Sequence, residues 1–205
     1  MNQSLALYVV ASLALIATPG QDMIYVIGRA LAQGRIPGLC SAIGVCLGIL
    51  VHTALAAIGV GAILQASESL FTALKYIGAA YLVYLGIRMI VTREVAIDAR
   101  AGMPRSSPAW LVLQGMLSNV TNPKIVLFFF AFLPQFVDPA SAHPTRDLIG
   151  LGVLYAALAL PVKGGVALVA ARLSDRVRRK PMALVWMNRA CGAVLVALGV
   201  RLARG

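Results

Sequence analysis

Apolar residues in this 205-residue chain fall into six long runs, at about 5 to 31, 37 to 64, 70 to 91, 110 to 135, 148 to 171 and 183 to 202. About 20 apolar residues in a helix cross a hydrocarbon core about 30 Å thick, so each run suffices for one transmembrane helix. The pattern predicts an all-α membrane protein with six transmembrane helices. Two runs are interrupted. Thr18-Pro19-Gly20-Gln21-Asp22 cuts the first, and Ser118-Asn119-Val120-Thr121-Asn122-Pro123-Lys124 cuts the fourth. Proline removes a backbone donor and breaks the helical ladder, so both helices are expected to be broken at Pro.

The two halves also resemble each other. Leu74–Ile90 (LKYIGAAYLVYLGIRMI) laid on Met187–Ala203 (MNRACGAVLVALGVRLA) matches at six of seventeen positions, from Ala80 with Ala193 to Arg88 with Arg201. The third and sixth helices are therefore counterparts, as are the broken first and fourth. Two three-helix halves joined so that the second starts on the opposite face are inverted repeats. The expected organisation is one membrane domain, 1-205, made of a first repeat (1-91), a polar linker (92-109) and a second repeat (110-205). The stretch Gln65 to Thr72 reads as a short outer connection.

Composition supports this: 60% of residues are hydrophobic and 12% charged, against roughly 45–50% apolar in soluble domains. The net charge of +11 is not a nucleic-acid footprint, because the basic residues alternate between loops. Arg29, Arg35, Arg88, Arg93, Arg100, Arg105, Arg172, Arg176, Arg178, Arg179, Lys180 and Arg189 follow the first, third and fifth helices; Lys75, Arg146, Arg201 and Arg204 lie on the other side. The positive-inside rule makes the first, third and fifth loops cytoplasmic and places both termini outside. Residues 2 to 4 carry no basic side chain and the apolar pattern resumes beyond Gly20, so the first helix is not read as a cleaved signal peptide. Cys40, Cys46 and Cys191 lack metal or redox spacing and read as buried apolar thiols.

The chemistry concentrates at the breaks. Thr18-Pro19 and Asn122-Pro123 each place a capping side chain before a proline, the arrangement that starts a helix. Two helix N-termini near the bilayer midplane, with free N–H groups, would bind an anion such as a carboxylate. Asp22 falls in the first turn of the restarted helix, where it could carry a proton or meet a substrate ammonium, or lock the helices by pairing with Lys124. Lys124 sits in a first turn that disfavours a cation, so it needs a carboxylate partner or an anionic ligand. Lys163, after Pro161 and before Gly164-Gly165, marks a third candidate irregularity. His52, mid-run in the second helix, is a proton-relay candidate or a histidine bonded to a backbone carbonyl. Asp22, Lys124 and Lys163 together leave one surplus positive charge, which a carboxylate substrate would offset. Gly44 and Gly48 have small-xxx-small spacing, which suits close packing and leaves a homodimer open.

ATPGQDM at Ala17–Met23, GRALAQGRIPGL at Gly28–Leu39, LKYIGAAYLVYLGIRM ending the first half, NPKIVLFFFAFLPQF at Asn122–Phe136 and NRACGAVLVALGVRL near the end together resemble the LysE/RhtB family of amino-acid exporters. The resemblance covers essentially the whole chain. It implies a multi-pass protein of the bacterial inner membrane that moves amino acids outward using the proton-motive force. Family members more often have Pro-Gly-Pro where this chain has Pro19-Gly20-Gln21, and Lys163 is not part of the family motif.

The expected function is a secondary transporter, not an enzyme, exporting amino acids or close derivatives by proton antiport, with no cofactor, catalytic residue or bound metal. The expected substrate residues are Thr18, Pro19, Gly20, Gln21, Asp22, Asn119, Asn122, Pro123 and Lys124, with Asp22, His52 and Lys163 as proton-coupling candidates. Partners are a zwitterionic or anionic small molecule, protons and the bilayer. Two rivals are a membrane thiol-disulfide oxidoreductase, disfavoured by cysteines six apart on different helix faces, and a metal-cation exporter, disfavoured by having only Asp22 and His52 as membrane-depth ligands.

Overall fold

A computed structural model describes residues 2–66, 68–92, 106–138, 141–172 and 181–204. The described residues are helical, without strands. In chain order the helices are α1 (Asn2–Ala17), α2 (Gln21–Gln33), α3 (Arg35–Ala66), α4 (Glu68–Val91), α5 (Pro108–Val120), α6 (Pro123–Leu127), α7 (Pro144–Arg172) and α8 (Pro181–Arg204). A π-helical turn (Phe128–Phe132) and a 3-10 turn (Leu133–Phe136) continue directly from α6. Arg35–Gly59 and Pro144–Arg172 are long and apolar enough to cross a membrane. So are two bent pairs, if each is one span: Leu5–Ala17 with Gln21–Gln33, bent by 50°, and Pro108–Val120 with Pro123–Phe136, bent by 56°.

Both breaks fall where the prolines place them. Elsewhere the connections are tighter than the apolar pattern suggests. α3 runs to Ala66 and α4 starts at Glu68, so the expected outer connection Gln65–Thr72 is mostly helix. Arg29 lies inside α2 and Arg35 opens α3, with only Gly34 between the two helices. Gly34 links the two helices at φ +95° and ψ −171°, a backbone region essentially reserved for glycine that costs other residues about 1–3 kcal/mol, and its N–H donates to the Ala30 carbonyl. α7 passes through Pro161 unbroken, so the expected third irregularity is absent; the proline removes one ladder bond without ending a 29-residue helix. Ser107 caps α5 by accepting from the Trp110 N–H at 3.2 Å, with Pro108 in the first turn. Most of the 92-109 linker, and Arg176, Arg178, Arg179 and Lys180 of the basic loop pattern, lie outside the described residues.

α3 is central, packed between α5 and α7, with α2 against α3 and α7. α4 packs on α8 and on the π-helical turn. Small residues set these contacts. Gly44 seats on the Val112 carbonyl, Gly48 on Met116 and Asn119, and Gly115 on the Ser41 carbonyl, which draws α3 and α5 together. The Gly44 and Gly48 stripe is thus occupied within the chain, and no longer argues for a homodimer.

The packing of the halves has exchange symmetry. α4 and α8 run antiparallel: Gly86 seats on Gly192 and Val196, and Gly199 seats on Ala79 and Val83. A shift of 113 positions, which lays Leu74 on Met187, turns one set of contacts into the other. α3 and α7 behave alike: Gly38 meets Ala167 and Gly152 meets Thr53, and a shift of 114 lays Gly38 on Gly152 and Thr53 on Ala167.

Candidate functional site

At the first break, Thr18 does not cap α2 as expected. Its hydroxyl donates back to the Ala14 carbonyl at 2.8 Å, inside the last turn of α1, and is therefore turned away from the helix that follows. Gly20 takes the capping position, with extended backbone and no side chain to accept, so α2 starts without a side-chain cap. Its first N–H groups carry the partial positive charge of a helix N-terminus. At the second break the expectation holds: the Asn122 side chain accepts from the Lys124 N–H at 3.1 Å, and Pro123 occupies the first turn of α6. Pro19, Gly20 and Pro123 thus shape the backbone of the breaks, and Gln21 opens α2 with its side chain exposed.

The two breaks meet in space. The fully buried Asp22 carboxylate lies between α2, the second break and α7. Its Oδ2 is 2.8 Å from the Lys163 Nζ and accepts from the Asn119 Nδ2 at 3.4 Å; its Oδ1 accepts from the Asn122 Nδ2 at 3.3 Å. The ion pair therefore links Asp22 to Lys163 on α7. The Asp22–Lys124 pair that the sequence suggested is not formed as a direct contact, because Lys124, although its Nζ stands beside Gly20 as the Asp22 Oδ1 does, turns to the end of α1. There its Nζ donates to the Leu15 carbonyl at 3.2 Å and the Thr18 carbonyl at 3.3 Å, carbonyls that the end of α1 leaves without helical partners. Gly20 makes room for this: a Cβ there would lie 2.9 Å from the Lys124 Nζ.

Asp22, Lys124 and Lys163 are 0%, 5% and 2% exposed, so the cluster carries a surplus positive charge away from water. Lys124 uses two of its three N–H donors on backbone carbonyls, which leaves a third in hand. The His52 Nε2 lies 3.3 Å from the Asn119 carbonyl oxygen, the backbone-bonded arrangement, on the residue whose amide holds Asp22. His52 thereby adjoins the cluster without touching the carboxylate.

Sequence reasoning missed an aromatic wall built by the π-helical turn. Phe128, Phe129 and Tyr155 pack with ring centroids 4.8 to 5.7 Å apart, and His52 lies 5.8 Å from Phe129. Tyr155 carries a fully buried hydroxyl that, like the Asn119 Oδ1, has no hydrogen-bond partner among the described residues. One signal for Tyr155 was present: it precedes Lys163 by eight residues, two turns on one helix face, with Ala159 buried between them. π-helical turns recur at functional sites because the extra residue re-aims side chains.

Cys46 and Cys191 are buried and Cys40 is half-buried, a partial departure from the expectation of three buried thiols; all three are free. Among the described residues no group of three His, Cys, Asp or Glu side chains lies close enough to hold a metal ion. Neither rival reading gains support.

Two broken helices thus enclose a buried charged cluster in an apolar helical bundle. A sequence profile of the LysE type translocators matches residues 13–205, and the chain belongs to that family. It is 34% identical to an uncharacterized membrane protein of Vibrio cholerae, over 96% of this chain and 94% of that one. It is 30% identical to the homoserine/homoserine lactone efflux protein of Salmonella typhimurium, over 96% and 94%. With the leucine efflux protein of an Enterobacter species it shares 26%, over 96% and 93%. These relatives with a stated activity are efflux proteins, not enzymes. No solved structure gives a significant match.

Proposed function

We propose that this protein is a secondary transporter that exports an amino acid or close derivative from the cytoplasm by proton antiport. The observation that carries this reading is the buried cluster of Asp22, Lys124 and Lys163, held where two broken helices meet. An ionisable group at membrane depth is costly and marks substrate or proton pathways. The efflux activities named for the relatives from Salmonella and Enterobacter support the same class of cargo.

In this reading Asp22 and Lys163 are the coupling pair: a proton taken by the carboxylate frees the lysine, and its loss re-forms the pair. Lys124, with the uncapped start of α2 and the Asn119 and Asn122 amides, receives the substrate carboxylate. His52 positions Asn119. Six membrane helices in two inverted repeats, 1-91 and 110-205, provide alternating access by rocking one repeat against the other. The exchange of contacts in the α4–α8 and α3–α7 pairs supports inversion. Antiparallel helices that swap contacts under a repeat shift are related by a two-fold axis perpendicular to them, which for membrane-crossing helices lies in the membrane plane. The distribution of basic residues supports both termini lying outside, and the family resemblance supports the inner membrane of a bacterium.

The test is efflux from proteoliposomes under an imposed proton gradient. Export should depend on the gradient, collapse with a protonophore, and fall at least tenfold in Asp22→Asn and Lys124→Met. Export unchanged in both variants would remove the cluster from the mechanism.

A further inference from the structure

We propose that the site selects small carboxylates lacking a free ammonium group, with Lys163 setting that preference by occupying the place on Asp22 that a substrate ammonium would need. This rests on the efflux reading and narrows its cargo. Asp22 is the buried carboxylate of the cluster, and its two oxygens already receive Lys163, Asn119 and Asn122. A zwitterionic amino acid would bring a second ammonium to a carboxylate that holds one at 2.8 Å, with Lys124 a third cation nearby.

Charge balance points the same way. Asp22, Lys124 and Lys163 sum to one positive charge, and all are at most 5% exposed. A zwitterion leaves that surplus buried, whereas a monoanion cancels it. The remaining donor of Lys124 and the uncapped N-terminus of α2 fit one carboxylate. The buried Tyr155 hydroxyl and Asn119 Oδ1, unpartnered among the described residues, can hydrogen-bond an amide N–H or a hydroxyl on such a carboxylate without adding charge. The cargo class is N-acylated amino acids and hydroxy acids, and Lys163 is the specificity-determining residue.

The experiment uses the purified chain in proteoliposomes, with empty liposomes as the leak control. Efflux is compared within two series of equal side chain: leucine, N-acetylleucine and 2-hydroxy-4-methylpentanoate; and homoserine with N-acetylhomoserine. Each series is run with the wild type, Lys163→Met and Lys163→Arg. The wild type should favour the ammonium-free member of a series roughly tenfold or more, the factor carried by one charge-assisted hydrogen bond. Lys163→Arg keeps the cation and should keep the preference, while Lys163→Met opens Asp22 and should shift the preference toward the zwitterion. A wild type that carries the zwitterion as well as, or better than, its ammonium-free counterpart overturns the inference and leaves the efflux reading standing. So does a preference that Lys163→Met leaves unchanged. Absence of efflux of every member overturns the efflux reading itself, and the inference with it. The wild-type comparison decides the matter even if Lys163→Met does not fold.

Discussion

Replacing Asp22 by Asn should destabilise the protein more than any other single change in the cluster. Lys163 lies 2.8 Å from Asp22, with side chains 2% and 1% exposed, and Lys124 is buried across the first break. Removing the carboxylate leaves two buried cations without a counter-charge. Breaking a buried pair from one side costs about 3–5 kcal/mol. For a chain of this size, 1 kcal/mol corresponds to roughly 2–4 °C, so Asp22→Asn should lower the melting temperature in detergent by roughly 6–20 °C. Lys163→Met should cost less, because Asp22 keeps the Asn119 and Asn122 amides and faces Lys124. The double variant returns the cluster to its original net charge, so its loss should be smaller than the sum of the single losses, with a coupling of about 0.5–3 kcal/mol. Thermal unfolding of the four proteins in one detergent measures this cycle. Additive losses, or an Asp22→Asn loss under about 1 kcal/mol, would refute the claim that the pair balances charge within a closed site.

Gly20→Ala places a Cβ 2.9 Å from the Lys124 Nζ, the mobile end of a side chain, so stability should change by less than about 1 kcal/mol while efflux falls; unchanged efflux would show that Lys124 need not sit against the break. Gly44→Ala and Gly115→Ala put a Cβ into the backbone of α5 and α3 respectively, and should each cost about 1–3 kcal/mol in thermal unfolding. Gly165→Ala, with nothing within 4 Å of the new Cβ, should be stabilising by about 0.4–1 kcal/mol. Ser107→Ala removes the cap on α5 and should cost about 0.5–2 kcal/mol by the same measurement.

Much of this protein was legible from the sequence. The apolar runs locate the helices to within a few residues, because the helix is how a single apolar segment satisfies its own backbone in lipid. Pro19 with Gly20, and Asn122 with Pro123, fix both breaks, since a missing N–H next to a flexible or capping residue favours ending one helix and starting another, whereas Pro161 without such a neighbour before it leaves α7 continuous. Asn122 as a cap and His52 on a backbone carbonyl are local or near-local outcomes that residue type suggests. The surplus positive charge follows from composition inside the apolar runs. Even the exchange-symmetric glycine contacts were foreshadowed by the Leu74–Ile90 and Met187–Ala203 match.

Tertiary structure alone decided which partners these residues take. Thr18 stands before a proline like Asn122, yet its hydroxyl bonds within α1 and the cap passes to Gly20; a hydroxyl can reach back to a carbonyl four residues earlier, and the sequence does not rank the two bonds. Asp22 had two lysines in reach of the same argument. It pairs with Lys163, 141 positions away, because α7 runs unbroken through Pro161 and presents Lys163 on its buried face, while Lys124 turns to the carbonyls at the end of α1. Gly44 and Gly48 could as well have faced a second copy; the packing of α3 on α5 settles them inside the chain. Sequence thus states which charges lie in the membrane and where the helices break. Which of these charges pair, and which is left without a counter-charge, depends on how distant helices rotate against each other when packed, and no local rule of the chain contains that information.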